Sequence, residues 1–173
     1  MFDKIIINMI VEGFWDSIYM TLVSTVFAYL IGLPLGIILV VTDKDGVKPM
    51  VWLNRGLGVI INILRSVPFL ILLITIIPFT RWVTGTSIGT TATIVPLVVA
   101  AAPFIARVVE SSLKEVDKGV IEAAQSMGTS TFQLIYKVLL PESLPSLVVG
   151  AALAVTTILS YSELAGFTGG GGL

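Results

Sequence analysis

The chain has 173 residues, 55% of them hydrophobic and 12% charged, with a net charge of -1 and neither cysteine nor histidine. So little charge cannot cover the surface of a water-soluble fold of this size. Lacking cysteine and histidine, the chain has no disulfide, thiol nucleophile, iron–sulfur ligand, imidazole base or histidine metal ligand. A near-neutral balance argues against nucleic acid as a partner.

No basic start with a small-residue cleavage site opens the chain, so the first apolar run is expected in the mature protein. A hydrocarbon core of about 30 Å takes roughly 20 apolar residues as helix. Residues 17–42 are uncharged and predict a first span, with Trp15 and Tyr19 before it as interfacial anchors. Gly32 and Gly36 form a GxxxG pair on it that could bring two helices close. The next run predicts a span over residues 56–80, because its uncharged part, 66–80, is only 15 residues long. That span carries Arg65 some turns in, where a cation costs roughly 2.5 to 3.5 kcal/mol on insertion scales. Either Arg65 lines a pathway and attracts a carboxylate, or it snorkels to the cytoplasmic headgroups or pairs within the bundle.

A polar stretch, TGTSIGTTAT, precedes a third span over 87–106. Val109, Leu113 and Val116 keep its stripe going, so the helix is expected to run on out of the membrane. Residues 107–142 hold nine of the 21 charged residues. A fourth span is predicted over 143–162, where Ser146, Gly150 and Ala154 recur every four residues as a small-residue stripe for close helix packing, within the chain or outside it. Seven basic residues (Lys44, Lys48, Arg55, Arg107, Lys114, Lys118, Lys137) lie in the two loops on one side, against Lys4 and Arg81 on the other. The basic loops are therefore expected in the cytoplasm and the N-terminus outside.

The cytoplasmic stretch EAAQSMGTSTFQLIYKVLLPESLP reads as helix, turn, helix, stop. Residues 121–127 are helix-forming, with Glu122 placed in the first turn, where the dipole favours an anion. Gly128 suits a left-handed helix end. Ser130 and Gln133 have capping-box spacing. Phe132, Ile135, Val138 and Leu139 share one face of the second helix, and Pro141 is expected to stop it. Such an elbow could fill a groove on a soluble partner or lie on the lipid headgroups.

The same stretch resembles the EAA loop of importer-type ABC transporter permeases: EAA, three residues, G, nine residues, I, one residue, LP. Here these are Glu122-Ala123-Ala124, Gly128, Val138 in place of the usual Ile, and Leu140-Pro141. The runs LRSVPFLILL, IPFTR, GTSIG, IVPL, AAPFIARVVE and the final GGGGL resemble the methionine-uptake branch, so that the likeness covers about residues 13–173. The fold implied is an all-α membrane protein, type I ABC importer permease-like. Four transmembrane helices are visible in one permease domain, with a cytoplasmic helix-turn-helix coupling loop over 107–142. Relatives carry one more helix after the glycine run, so the chain is expected to be C-terminally truncated.

No P-loop is present, since the glycine run Gly169 to Gly172 ends in Leu173 rather than Lys-Ser or Lys-Thr. The chain is thus not expected to be an enzyme or to hold a cofactor, and ATP-Mg belongs to a partner. The resemblance implies a separate homodimeric ATPase docked on Glu122, Ala123, Ala124, Gly128, Val138, Leu140 and Pro141. It also implies a second permease copy and an extracytoplasmic substrate-binding protein, besides membrane lipid. The cargo is expected to be methionine, L- or D-; the alternatives are a permease for another amino acid or small peptide, or a truncated inactive membrane subunit. Ser162, Glu163 and Leu164 match the family's outward gate region, where Glu163 departs from the usual small or apolar residue.

Overall fold

The computed structural model describes residues 2–166 and 169–171. Three helices are long and apolar enough to cross a membrane: α1 (Phe2–Thr42), α5 (Thr90–Lys114) and α9 (Leu144–Gly166). Between α1 and α5 lie α2 (Val51–Ser66), α3 (Phe69–Thr75) and α4 (Ile77–Thr84). Between α5 and α9 lie α6 (Lys118–Ser126), α7 (Thr131–Leu134), a π-helical turn (Ile135–Leu139) and α8 (Leu140–Glu142). At 1.5 Å per residue the 41 residues of α1 reach about 61 Å, so the helix begins well before residue 17, where the first uncharged run starts.

The centre of the bundle is α5. Ala101, Ile105, Val109 and Leu113 are buried against Ala28 of α1 and Ala154 and Ile158 of α9. Two small-residue stripes make this approach possible. Side chains added at Gly32 and Gly36 would collide with Ile105 and Val109 and with the backbone oxygens of Ala102 and Ala106. The GxxxG pair therefore serves contact within the chain. Along α9, a Cβ at Gly150 would strike Val108, the Ser146 hydroxyl donates to Ser112 Oγ at 3.0 Å, and Ala154 is fully buried. The stripe over 146–154 is thus internal packing. We expect Gly36→Ala to destabilise the protein by about 1–2 kcal/mol, since the overpacking penalty outweighs the gain in helix propensity. Thermal unfolding of the purified chain checks this, and an unchanged midpoint would contradict it.

The predicted continuous span over 56–80 is not one helix. The α2–α3 pair bends by 102° at residues 66–68. Pro68 has no N–H to extend α2, and Val67 before it takes an extended conformation, φ -78 and ψ 124. A further break after Thr75 leads to α4, which ends at Gly85 with φ +78. Beyond the break, α3 turns toward α9, where Phe69 stacks on Tyr161 with ring centroids 4.7 Å apart.

The two ends of the bundle differ in chemistry. At one end the α1–α2 turn meets α5 through Asp43 and Lys114. At the other, the Gly89 amide donates to the Gly169 carbonyl at 3.0 Å, and the Thr93 hydroxyl donates to the Gly170 carbonyl at 3.4 Å. The glycine run thus folds back over the start of α5, while Gly172 and Leu173 lie outside the described residues.

Candidate coupling site

The elbow is built from local chain chemistry. Asp117 caps α6 by accepting the Gly119 amide at 2.7 Å, so the helix starts at Lys118 and not at 121. That places Glu122 in the second turn, where the dipole contributes little. At the far end Gly128 takes φ +78. Its amide donates to the Gln125 carbonyl at 2.9 Å, and the Thr129 amide donates to the Ala124 carbonyl at 3.3 Å. These two bonds make a Schellman turn. The reciprocal capping box then restarts the chain: the Gln133 amide donates to Ser130 Oγ at 3.3 Å, and the Ser130 amide to Gln133 Oε1 at 3.0 Å.

Pro141 does not end this second helix. The chain widens into the π-helical turn, in which the Leu140 amide donates to the Ile135 carbonyl, and Pro141 follows inside α8. A widened turn absorbs a residue with no N–H without breaking the rod. The buried face also differs from the expected one. Leu134 and Leu139 are buried, Ile135 and Val138 are half-buried, and Phe132 is 75% exposed.

The seven motif residues separate into two sets. Ala124, Val138 and Leu140 pack against the bundle core. Glu122, Ala123, Gly128 and Pro141 are exposed. Beside the outward set stand Val120, Met127 and Tyr136, also exposed. A cleft of about 570 Å³, lined in part by Asp43, Gly46, Lys118 and Glu122, separates α6 from the α1–α2 turn, so the elbow rests on the bundle along one side only.

A charged cluster at the root of the elbow was not legible as a unit in the sequence. Glu110, 9% exposed, accepts from Arg107 at 2.6 Å and from Lys114 at 2.8 Å. Arg107 reaches α2, donating to the Gly58 carbonyl at 3.2 Å and Asn62 Oδ1 at 3.0 Å. Lys114 reaches the end of α1, at 2.7 Å from Asp43. The Lys114 ammonium, hydrogen-bonded to Asp43, holds its carboxyl below the usual carboxylate range. Asn54 of α2 adds a bond of 2.6 Å to the Leu39 carbonyl of α1.

The other predicted site residues lie elsewhere. Arg65 is exposed in the last turn of α2. Ser162 is fully buried and donates to the Leu159 carbonyl at 2.7 Å. Glu163 is exposed, and Leu164 packs beside Phe69 and Ala165. Among the described residues no group of three or more acidic side chains could hold a metal ion.

The sequence pattern of one family, described as "Binding-protein-dependent transport system inner membrane component", matches residues 13–173. The chain belongs to this family. As one of these inner membrane components it is a multi-pass membrane protein and a transport subunit. It is 48% identical over 166 residues to the probable D-methionine transport system permease protein MetI of Vibrio cholerae, covering 96% of this chain and 74% of that one. To the D-methionine transport system permease protein MetI of Escherichia coli K12 it is 49% identical over 158 residues, covering 91% and 73%. An inward-facing crystal structure of the MetNI methionine ABC transporter superimposes with a TM-score of 0.94 at 49% identity, covering 95% of this chain and 76% of that one. The fold is that of a type I ABC importer permease.

Proposed function

We propose that the protein is the membrane-spanning subunit of an ATP-driven importer that carries methionine inward by alternating access. The observation that carries this reading is the elbow. It is held rigid by a Schellman turn and a capping box, rooted on the core through Ala124, Val138 and Leu140, and presents Glu122, Ala123, Gly128 and Pro141 outward. The 173 residues hold no P-loop, and a rigid projecting elbow is suited to receive work from another subunit.

In this reading a homodimeric ATPase takes the outward set, with the elbow and basic loops in the cytoplasm and the N-terminus outside. Two copies of the permease enclose the passage, because one protomer with three or four spans forms only one wall. An extracytoplasmic binding protein delivers the cargo. Methionine is supported by relatives named for D-methionine transport at 48–49% identity. No side chain of the elbow or of the charged cluster discriminates a thioether, so the cargo rests on those relatives alone.

The test is uptake of labelled L- and D-methionine at micromolar concentration in cells stripped of their own methionine importers, with the permease expressed beside its ATPase. Restored uptake, competed by unlabelled methionine but not by other amino acids, is the expected result. Restoration by a different amino acid would replace the cargo. Absence of an ATPase from the purified assembly would overturn the mechanism.

A further inference from the structure

Two independent features meet at the bend between α2 and α3. The first is the depth of Arg65. Ile61, one turn before it, packs with Leu39 and Ala106. Phe69, four residues after it, packs with Met20, Leu97 and Tyr161. Arg65 therefore lies opposite the stretch of α5 between Leu97 and Ala106, the middle of the Thr90–Lys114 helix. Arg107, where the charged part of α5 begins, lies about 8 Å along the helix axis from the midpoint between Leu97 and Ala106. Arg65 has no hydrogen bond or ion pair among the described residues, so pairing within the protomer is removed.

The second feature is the backbone. Ser66 and Pro68 are exposed, and the chain at Val67 is not helical. Non-helical backbone at membrane depth is tolerated only where it is buried in protein or lines water. Ser66 and Pro68 are not buried within the protomer. On the opposite side of α2, Trp52, Val59 and Ile63 are exposed apolar side chains, flanked by the exposed Arg55 and Ser66. Arg65 falls on the other stripe, in line with Gly58 and Ile61.

We propose that Arg65 and the bend at residues 66–68 line the water-filled passage, and that the guanidinium receives the carboxylate of the amino-acid cargo in transit. An unpaired cation in a narrow, poorly screened passage favours an anionic group, and a guanidinium takes a carboxylate in two parallel hydrogen bonds. The second half of this proposal rests on the cargo class given above, and the first half does not.

The chain has no native cysteine, so a single introduced thiol is read directly. In membranes holding the permease with its ATPase, Arg65→Cys should react with a membrane-impermeant methanethiosulfonate reagent at least tenfold faster than Ile63→Cys on the opposite side of α2. Equal or slower reaction overturns the aqueous placement. In the uptake assay Arg65→Gln should lose at least tenfold in methionine transport while ATP hydrolysis by the complex stays within twofold, and Arg65→Lys should keep most of the transport. Wild-type uptake by Arg65→Gln overturns the carboxylate role. Fast labelling together with no methionine uptake by the unmodified protein leaves the aqueous placement standing and puts the fault in the cargo.

Discussion

Gly128→Pro is expected to abolish uptake while leaving the bundle folded. Proline needs φ near -65°, and Gly128 sits at +78°. The substitution also removes the amide that donates to the Gln125 carbonyl at 2.9 Å. A penalty of about 3 kcal/mol for misplaced proline lowers the population of the native elbow by roughly two orders of magnitude. Nothing lies within 4 Å of a Cβ built at this position, and the core does not include it. The contacts of α1, α5 and α9 with one another are untouched, so the unfolding midpoint should fall by no more than about 12 °C, the full 3 kcal/mol at about 2–4 °C per kcal/mol. Gly128→Ala separates conformation from bulk. It meets no neighbour, and the left-handed cost of about 1–2 kcal/mol predicts a loss of transport of about tenfold. Co-purification of the ATPase in detergent should follow the same order, parent, alanine, proline. A proline variant that holds its ATPase and transports normally would remove the elbow from the coupling route.

What the sequence revealed and what it hid divide along a physical line. Gly128, Ser130 and Gln133 were legible because turns and caps are set by neighbouring residues. The long uncharged runs of α1, α5 and α9 were legible because lipid demands length and apolarity over a single helix. The bend at Pro68 was not, although the Val67–Pro68 pair stood in plain view. Hydropathy measures only how apolar a run is, and this run stays apolar around the bend. Pro141 failed the opposite way: a stop signal was read correctly, but the π-helical turn before it accommodated the ring. The GxxxG pair and the stripe over 146–154 announced close approach without naming the partner, which in both cases is α5. Among the site residues, spacing marked all seven motif positions alike. Only packing separates Ala124, Val138 and Leu140, which root the elbow, from the four that face outward.

The charged cluster shows what such root contacts do, and it carries the second large effect. Glu110→Leu should cost about 2–3 kcal/mol, and Glu110→Leu with Arg107→Met should uncouple hydrolysis from transport. Removing one member of a buried pair leaves its partner charged without compensation, at about 3–5 kcal/mol. Lys114 escapes part of that penalty, because its side chain is 46% exposed and it keeps Asp43. Arg107 does not escape: its side chain is 26% exposed, and its Nε already lacks a partner among the described residues. The expected drop in unfolding midpoint is about 4–12 °C, at 2–4 °C per kcal/mol for a chain of this size. Glu110→Leu combined with Arg107→Met should recover much of the loss, since the stranded cation is gone too. The consequence for transport comes from the connectivity. Glu110 positions Arg107 and Lys114, and these two side chains tie α5 to α2 at Gly58 and Asn62 and to α1 at Asp43. An elbow moving with α5 then carries the inner ends of all three helices as one body. The double variant removes the tie to α2 with Arg107 itself, so ATP should be hydrolysed with at least tenfold less cargo moved per turnover although the midpoint is regained. Glu110→Leu alone leaves Arg107 its bonds to Gly58 and Asn62 and should lose less of the transport ratio. A double variant that recovers both would make the cluster a stabilising contact and nothing more.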